Sequence, residues 1–373
     1  MNLFKQKIAA HAKNVLGWHT SRKIVVLSFD DYGNVRLASA GARRALDLLG
    51  FPAVSNFDRF DSLETRQDLE LLFDSLSTVT DKNGRHAVVT PFALPCNLNF
   101  EAMKKTGYQE FIYELLPETF AKLPGYERTW DTWKEGMQRK IFMPQFHGRE
   151  HLNLPLLKEN LRLRDPATIA SLEHKSYTSL ESKYPTISYT AAFDFIDPVQ
   201  LRDHESTIVD GLNAFEKVFG MRARHFNPPG GREHPQLHKV LHDHGIRYLD
   251  APSLKREHRG FGKYRSGLYY TGKRNKLGQY FIVRNVVFEP TSSTIDWVAY
   301  AMMQITASFY WRKPAVVSSH RVNFAGNISE RHRDHGIRQL RQLLAKITQR
   351  WPDVEFMAAD ELGDIIVKEQ SSQ

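Results

Sequence analysis

Ile24-Val25-Val26-Leu27-Ser28-Phe29-Asp30-Asp31-Tyr32-Gly33 is the stretch on which the reading of this chain turns. Four apolar residues, three of them β-branched, form a short continuous run, the pattern of a strand buried on both faces. Two adjacent carboxylates close the run and a glycine follows. Successive side chains on a strand point to opposite faces. Asp30 and Asp31 therefore share a pocket only if the backbone turns at the strand's end. Unpaired carboxylates at such a place would shift each other's pKa. A bound cation relieves that and leaves one of them free to act as a base. The competing reading is an aspartate pair capping a helix that begins near Val35.

Outward from this strand, similar apolar runs recur at 87–90, 141–146, 187–195, 223–226, 247–249, 280–288, 315–318 and 354–357. Helical periodicity fills many of the gaps, at 35–49, 61–76, 198–219, 235–244, 294–310 and 329–349. Strands alternating with helices predict parallel pairing with helical crossovers. Polar residues recur just after the strands, which favours an α/β barrel whose site gathers at the strands' C-terminal ends. Residues 1–22 read as a basic N-terminal helix, with Lys5, Lys7 and Lys13 among short apolar pieces. Residues 23–368 read as a single barrel. The aromatic-rich segment 92–138 reads as an insertion or lid, and the basic segment 253–276 as a second insertion.

A length of 373 residues is long for one domain but ordinary for an α/β barrel. With 41% hydrophobic and 25% charged residues the chain has the composition of a globular protein rather than a disordered one. The one cysteine, Cys96, excludes an internal disulfide framework and fits a reducing compartment, so the expectation is cytoplasmic. No signal-type apolar core follows the N-terminal lysines, and no run of about 18 apolar residues predicts a membrane span. Phe4, Ile8, Val15 and Leu16 could give the N-terminal helix a peripheral membrane contact. The plainer reading packs that helix on the body. The net charge of +9 raises the question of nucleic acid. The basic residues are dispersed, signs alternate as in Glu330–Asp334, and no nucleic-acid motif is present, so no such partner is expected. An anionic substrate or an anionic membrane surface suits the charge equally well.

Three more constellations follow predicted strands. His147-Gly148-Arg149-Glu150-His151 ends the 141–146 run. Histidines four apart fall on one helical face and can grip one metal. The spacing alone is common among 16 histidines. His234, His238 and His242 repeat it, and His332 and His335 sit three apart, but those read as solvated helix faces. His147 differs in standing at a strand's end. Glu150 is out of place for the zincin pattern, because Gly148 occupies the position after the first histidine. Phe226-Asn227-Pro228-Pro229-Gly230-Gly231 is a rigid turn that can form a pocket wall, making Asn227, Pro228, Pro229 and Gly230 candidate substrate contacts. A plain strand-to-helix connection is the alternative. Ser318-Ser319-His320-Arg321 ends the 315–317 run. His320 is placed there for general acid catalysis, with Ser319 and Arg321 beside it as candidate substrate contacts.

The order of these constellations resembles that of the NodB-homology polysaccharide deacetylases, carbohydrate esterase family 4, over about residues 23–365. The family's Thr-Phe-Asp-Asp-Gly is similar to Ser28-Phe29-Asp30-Asp31-Tyr32-Gly33 with one residue inserted. The resemblance implies that Asp30 is the general base and Asp31 a metal ligand. His-Ser/Thr-x-x-His is similar to the stretch from His147 to His151 and implies that both histidines are ligands. Gly148 replaces the usual hydroxyl residue. Asn227 stands where the family has an arginine that steers the catalytic aspartate, with Arg224 and Arg232 as nearby substitutes. His320, in place of the family's Leu-x-His histidine, would be the general acid, with Ser318 at the leucine that lines the acetyl pocket. Asp250 is the candidate for the remaining motif. The fold implied is a distorted (β/α) barrel of about seven strands, of the NodB-like glycoside hydrolase/deacetylase superfamily. The activity implied is removal of an N-acyl group from a sugar or glycan precursor with one divalent metal, for which zinc suits the donor set. The carbohydrate would be anionic if the basic segment 253–276 meets it. Two alternatives stand beside this: a related hydrolase of a non-sugar amide, and an inactive glycan-binding barrel.

Overall fold

The Ile24–Leu27 run becomes the middle of a ten-residue strand, β1 (Lys23–Tyr32), buried along its whole length after Lys23. A strand covered on both faces needs no polar alternation, which is why the run reads as continuously apolar. The computed structural model describes residues 3–371 apart from 179, 181, 185, 293 and 294. Eight further strands join β1 in the main sheet: β2 (Val89–Ala93), β3 (Gln145–Phe146), β4 (His225–Phe226), β5 (Tyr248–Asp250), β6 (Tyr280–Ile282), β7 (Val286–Val287), β8 (Ala315–His320) and β9 (Val354–Phe356). Their spatial order is β6-β5-β4-β3-β2-β1-β8-β7, with β9 paired to the start of β1. Every pairing in this sheet is parallel. The sheet curls into the expected distorted barrel, open between β6 and β7. It exceeds about seven strands because the 280–288 run divides into β6 and β7 around Arg284.

The two faces of β1 enter different cores. Ile24 and Val26 pack inside the curl with Phe92, Tyr248, Ile282 and Val316, and the helix Ala359–Ser371 closes that core with Leu362 and Ile366. Val25, Leu27 and Phe29 face outward into a larger core shared with Leu69, Leu72, Leu76, Leu340 and Leu344. Each such side chain contributes about 1.5–3 kcal/mol on full burial. The helix Arg66–Ser77 presents Leu69, Leu72, Phe73 and Leu76 at helical spacing and starts on a capping box between Thr65 and Asp68. By parity along β1, Ser28 and Asp30 continue the inner face at the C-terminal mouth of the curl.

Several expectations change. The helix read at 35–49 starts only at Ala40, capped by Ser39. Ahead of it the chain is held extended, with the Val35 and Ala38 amides donating to Asn97 Oδ1 and Ser176 Oγ. No strand forms at 187–195. Its apolar residues pack as turns, and Asn153 Nδ2 donates to the carbonyls of Ala191 and Asp194, where a sheet partner would otherwise bond. Segment 92–138 supplies the end of β2, a short antiparallel pair and three helices. Trp133 is wholly buried there against Tyr32, Phe142 and Phe219, so this part of the segment is built into the core. Residues 254–268 form an antiparallel hairpin. The helix read at 294–310 begins at Trp297 behind its cap Asp296; Thr294 lies outside the described residues. The helix Leu3–Ala12 packs on Trp297–Tyr310 and leaves Phe4 and Ile8 exposed. Among the described residues no helix is long and apolar enough to cross a membrane.

Candidate metal centre and cleft

The end of β1 is bent. Asp31 has φ 75°, a region that non-glycine residues seldom occupy, and the ladder to β2 shifts register between Phe29 and Tyr32. The kink swings Asp31 to the side that Asp30 already faces. A buried network holds it in place. The Gly33 amide donates to both Glu64 carboxylate oxygens at 3.1 and 3.2 Å, and Trp133 Nε1 donates to Glu64 at 3.0 Å. Arg321 bridges Glu64 at 3.1 Å and Asp61 at 2.7 Å.

His147 follows β3 but does not lie on a helix. Residues 147–153 form a loop that turns at Gly148, with φ 104°, so loop geometry brings the two histidines together, where the sequence suggested a shared helical face. His147 Nδ1 is 2.7 Å from the carbonyl oxygen of Asn227. A carbonyl only accepts, so Nδ1 carries a hydrogen, and Nε2 is the ring atom turned toward Asp31 Oδ1, 3.3 Å away. His151 Nε2 lies 3.1 Å from the same oxygen. All three ligand atoms lie within 4.8 Å of one another, and all three residues are buried. Ligands about 2.0–2.1 Å from a tetrahedral zinc are separated by about 3.3 Å, so the donor set fits such an ion. The hydrogen bond behind His147 fixes its ring as carbonyl partners do in metal sites. Burial pushes the Asp31 carboxyl up, but His151 and His147 outweigh it and hold the group well below the usual carboxylate range.

Asp30 and His320 are register partners across β1 and β8. His320 Nε2 stands 3.7 Å from Asp30 Oδ2. Asp30 accepts from Asn227 Nδ2 at 2.9 Å and from Arg284 Nη1, which is 2.8 Å from each carboxylate oxygen. Arg284 Nε also lies 3.4 Å from Asp250. The cation on Asp30 thus comes from the loop between β6 and β7. Arg224 and Arg232 do not supply it: Arg224 pairs with Asp360 and Asp364, and Arg232 with Asp194. His320 Nδ1 donates to Glu289 Oε1 at 2.7 Å, and Asn323 donates to the other Glu289 oxygen at 2.7 Å. Burial opposes the charge on His320, but Glu289, Asp31 and Asp30 push its pKa up to about 10. Arg284 and Glu289 were missed in the sequence because 280–288 reads as one strand. A break at Arg284 and the strand-end position of Glu289 were the signals present.

Asp30, Asp31, His147, His151, Arg284 and His320 line one cavity of about 310 Å³, with Pro228, Gly230, Arg36, Phe57 and Thr190 among its walls. That volume is at the lower end of ligand sites. Of the expected substrate contacts, Pro228 and Gly230 face the cavity. Asn227 is spent on Asp30, and Pro229 is buried behind, against Gly148. Ser319 and Arg321 are corrected. Both are fully buried: Ser319 lies on the outer parity of β8, and Arg321 is locked on Asp61 and Glu64. Segment 253–276 contributes nothing to this cavity. His238, expected on a solvated face, is buried beside Glu233.

No family model matches the chain, and no curated protein matches it. Among solved structures it is similar to a protein of Mycobacterium smegmatis named a polysaccharide deacetylase, at 12% identity and TM-score 0.44, covering 95% of this chain and 94% of that one. It is similar to a GH57-type branching enzyme of Pyrococcus horikoshii at 9% identity and TM-score 0.47, over 92% and 70% of the two chains. A peptidoglycan deacetylase of Bacillus subtilis aligns at 10–11% identity and TM-score 0.37, over 94% of each chain.

Proposed function

We propose that this chain is a metal-dependent hydrolase of non-peptide carbon–nitrogen bonds, and a divergent NodB-type deacetylase that removes the N-acyl group of a sugar or glycan precursor. One observation carries the reading. An Asp–His–His donor set shares a cavity with a second aspartate and a cationic histidine, each held by its own partner. Asp31, His147 and His151 would hold one divalent ion, with zinc the best match to two imidazoles and a carboxylate. When bound, such an ion polarises the acyl carbonyl and makes a coordinated water more acidic.

The chain's own groups do the rest. Asp30 takes the proton of the attacking water, while Arg284 and Asn227 fix its carboxylate. His320 holds a proton at Nε2 and delivers it to the leaving amine, with Glu289 receiving the Nδ1 hydrogen bond and keeping the ring charged. Pro228 and Gly230 form the wall against the sugar. Asn227 becomes a positioning residue in place of a substrate contact. The buried Cys96 suits a reducing, cytoplasmic setting.

The test is metal content of wild type beside His147→Ala/His151→Ala, followed by acetate release from N-acetylated sugars. About one metal per chain, lost in the double variant, is expected. Absence of metal from both, even after exposure to zinc, rejects the reading. Turnover of small non-sugar amides alone would move the substrate to that class.

A further inference from the structure

Arg36 lies four residues beyond the end of β1, at a junction. It lines the site cavity of about 310 Å³ and also a second cavity of about 580 Å³, and Thr190 is the other residue common to both. The second cavity is walled by Phe51, Pro52, Val54 and Ser55, which none of the chemistry above uses. The Arg36 backbone is fixed, since its carbonyl accepts from the Tyr177 amide at 3.0 Å. Its guanidinium lies 5.1 Å from the centroid of the Phe57 ring, and the same ring stands edge-on to His320 at 5.1 Å. One aromatic ring therefore separates Arg36 from the group that would protonate the leaving amine.

The guanidinium is left short of partners. Its side chain is 14% exposed, Nε is buried without a hydrogen-bond partner, and its nearest carboxylate, Asp58, is at 3.6 Å. Both oxygens of Asp58 already accept hydroxyls, from Ser55 at 2.7 Å and Thr178 at 2.8 Å. A largely buried cation whose fork of donors meets no acceptor at hydrogen-bond distance among the described residues is costly to keep. Arginine's planar fork matches a carboxylate or a phosphate. The other arginine on the site cavity, Arg284, is engaged with Asp30 and Asp250 and is not available for this.

We propose that Arg36 is an anion anchor: it binds a carboxylate or phosphate substituent of the substrate at the junction of the two cavities, with the acyl group lying over Asp31, His147 and His151. Within the deacetylase reading, on which the substrate class rests, the preferred substrate is an N-acylated sugar bearing such a charge. The neutral stem of Phe57 spaces the anion from His320.

The test is equilibrium binding to wild type, Arg36→Met and Arg36→Lys, all in the same metal state. The probes are N-acetylglucosamine, its 6-phosphate, N-acetylmuramic acid and inorganic phosphate. Charge-assisted hydrogen bonds predict that a charged sugar binds wild type about 10- to 100-fold more tightly than the neutral one. Arg36→Met collapses that ratio to about one, and Arg36→Lys retains part of it. The better of the two charged sugars tells phosphate from carboxylate. A ratio near one in wild type, or a ratio that survives in Arg36→Met, overturns the anchor. Inorganic phosphate separates this from the parent reading. If no sugar binds but phosphate binding weakens at least tenfold in Arg36→Met, the anchor stands and the sugar reading falls. If sugars bind and neither they nor phosphate respond to Arg36, the sugar reading stands and the anchor falls.

Discussion

Replacing Arg321 by methionine isolates the buried network behind the metal centre. The guanidinium is fully buried and donates to Asp61 at 2.7 and 3.2 Å, to Glu64 at 3.1 Å and to the Asn34 carbonyl at 2.6 Å. Methionine keeps much of the volume but leaves two carboxylates buried without their cation. Removing one partner of a buried ion pair costs about 3–5 kcal/mol. At about 2.1 cal/mol/K per residue, unfolding this chain has an entropy near 0.8 kcal/mol/K, so the melting temperature should fall by about 4–6 °C. The sign with pH follows from Asp61 and Glu64. Burial already raises both carboxyls, and Arg321 is the main group pulling them down. Without it their folded pKa values rise further. A carboxyl with a raised folded pKa favours the fold once protonated and disfavours it as pH climbs through that value. The gap between variant and wild type should thus be widest near pH 8 and narrow toward pH 5. Glu64 also holds Gly33, two residues from Asp31, so affinity for zinc in a chelator competition should fall about 10- to 100-fold. Calorimetry at several pH values, with the chelator titration, checks both. A loss below about 1 kcal/mol at pH 8, or a gap that widens on acidification, would show that Arg321 is not the cation this network depends on.

Glu289→Gln removes the anion that helps hold the His320 proton, whose pKa is pushed up to about 10. A general acid works only while protonated, so the alkaline limb of kcat should move down by at least about one pH unit, and an unmoved limb would exclude His320 as that acid. Gly336→Ala would place a Cβ 1.8 Å from the backbone oxygen of Asn323, whose side chain holds Glu289. The clash should cost about 1–3 kcal/mol in urea unfolding and lower kcat through His320; a variant as stable as wild type would mean that this helix and loop are not rigidly packed.

The parallel α/β plan and the standing of Asp30, Asp31, His147, His151 and His320 at strand ends were legible in the chain itself. Apolar run length and the placement of polar residues at strand ends are local properties, and parallel strands bring those ends to one mouth whatever lies between. Other features were not legible. The His147–His151 spacing suggested a helix, but a loop turning at Gly148 brings the rings together. Arg321 looked like a neighbour of His320 on the cleft, yet it opens the 3-10 turn that follows β8 and is buried away from the cleft on Asp61 and Glu64. Arg284 reaches Asp30 across 254 residues of sequence, and Glu289 meets His320 across 31. A charged side chain's partner is set by which strand ends are adjacent in the curled sheet, and periodicity within a segment carries no record of that adjacency. The sequence by itself therefore determined which groups stand at the mouth of the barrel. Only the tertiary structure decided which cation steadies the base, which anion charges the histidine, and that Arg36 was left facing the cleft with its Nε unpartnered among the described residues.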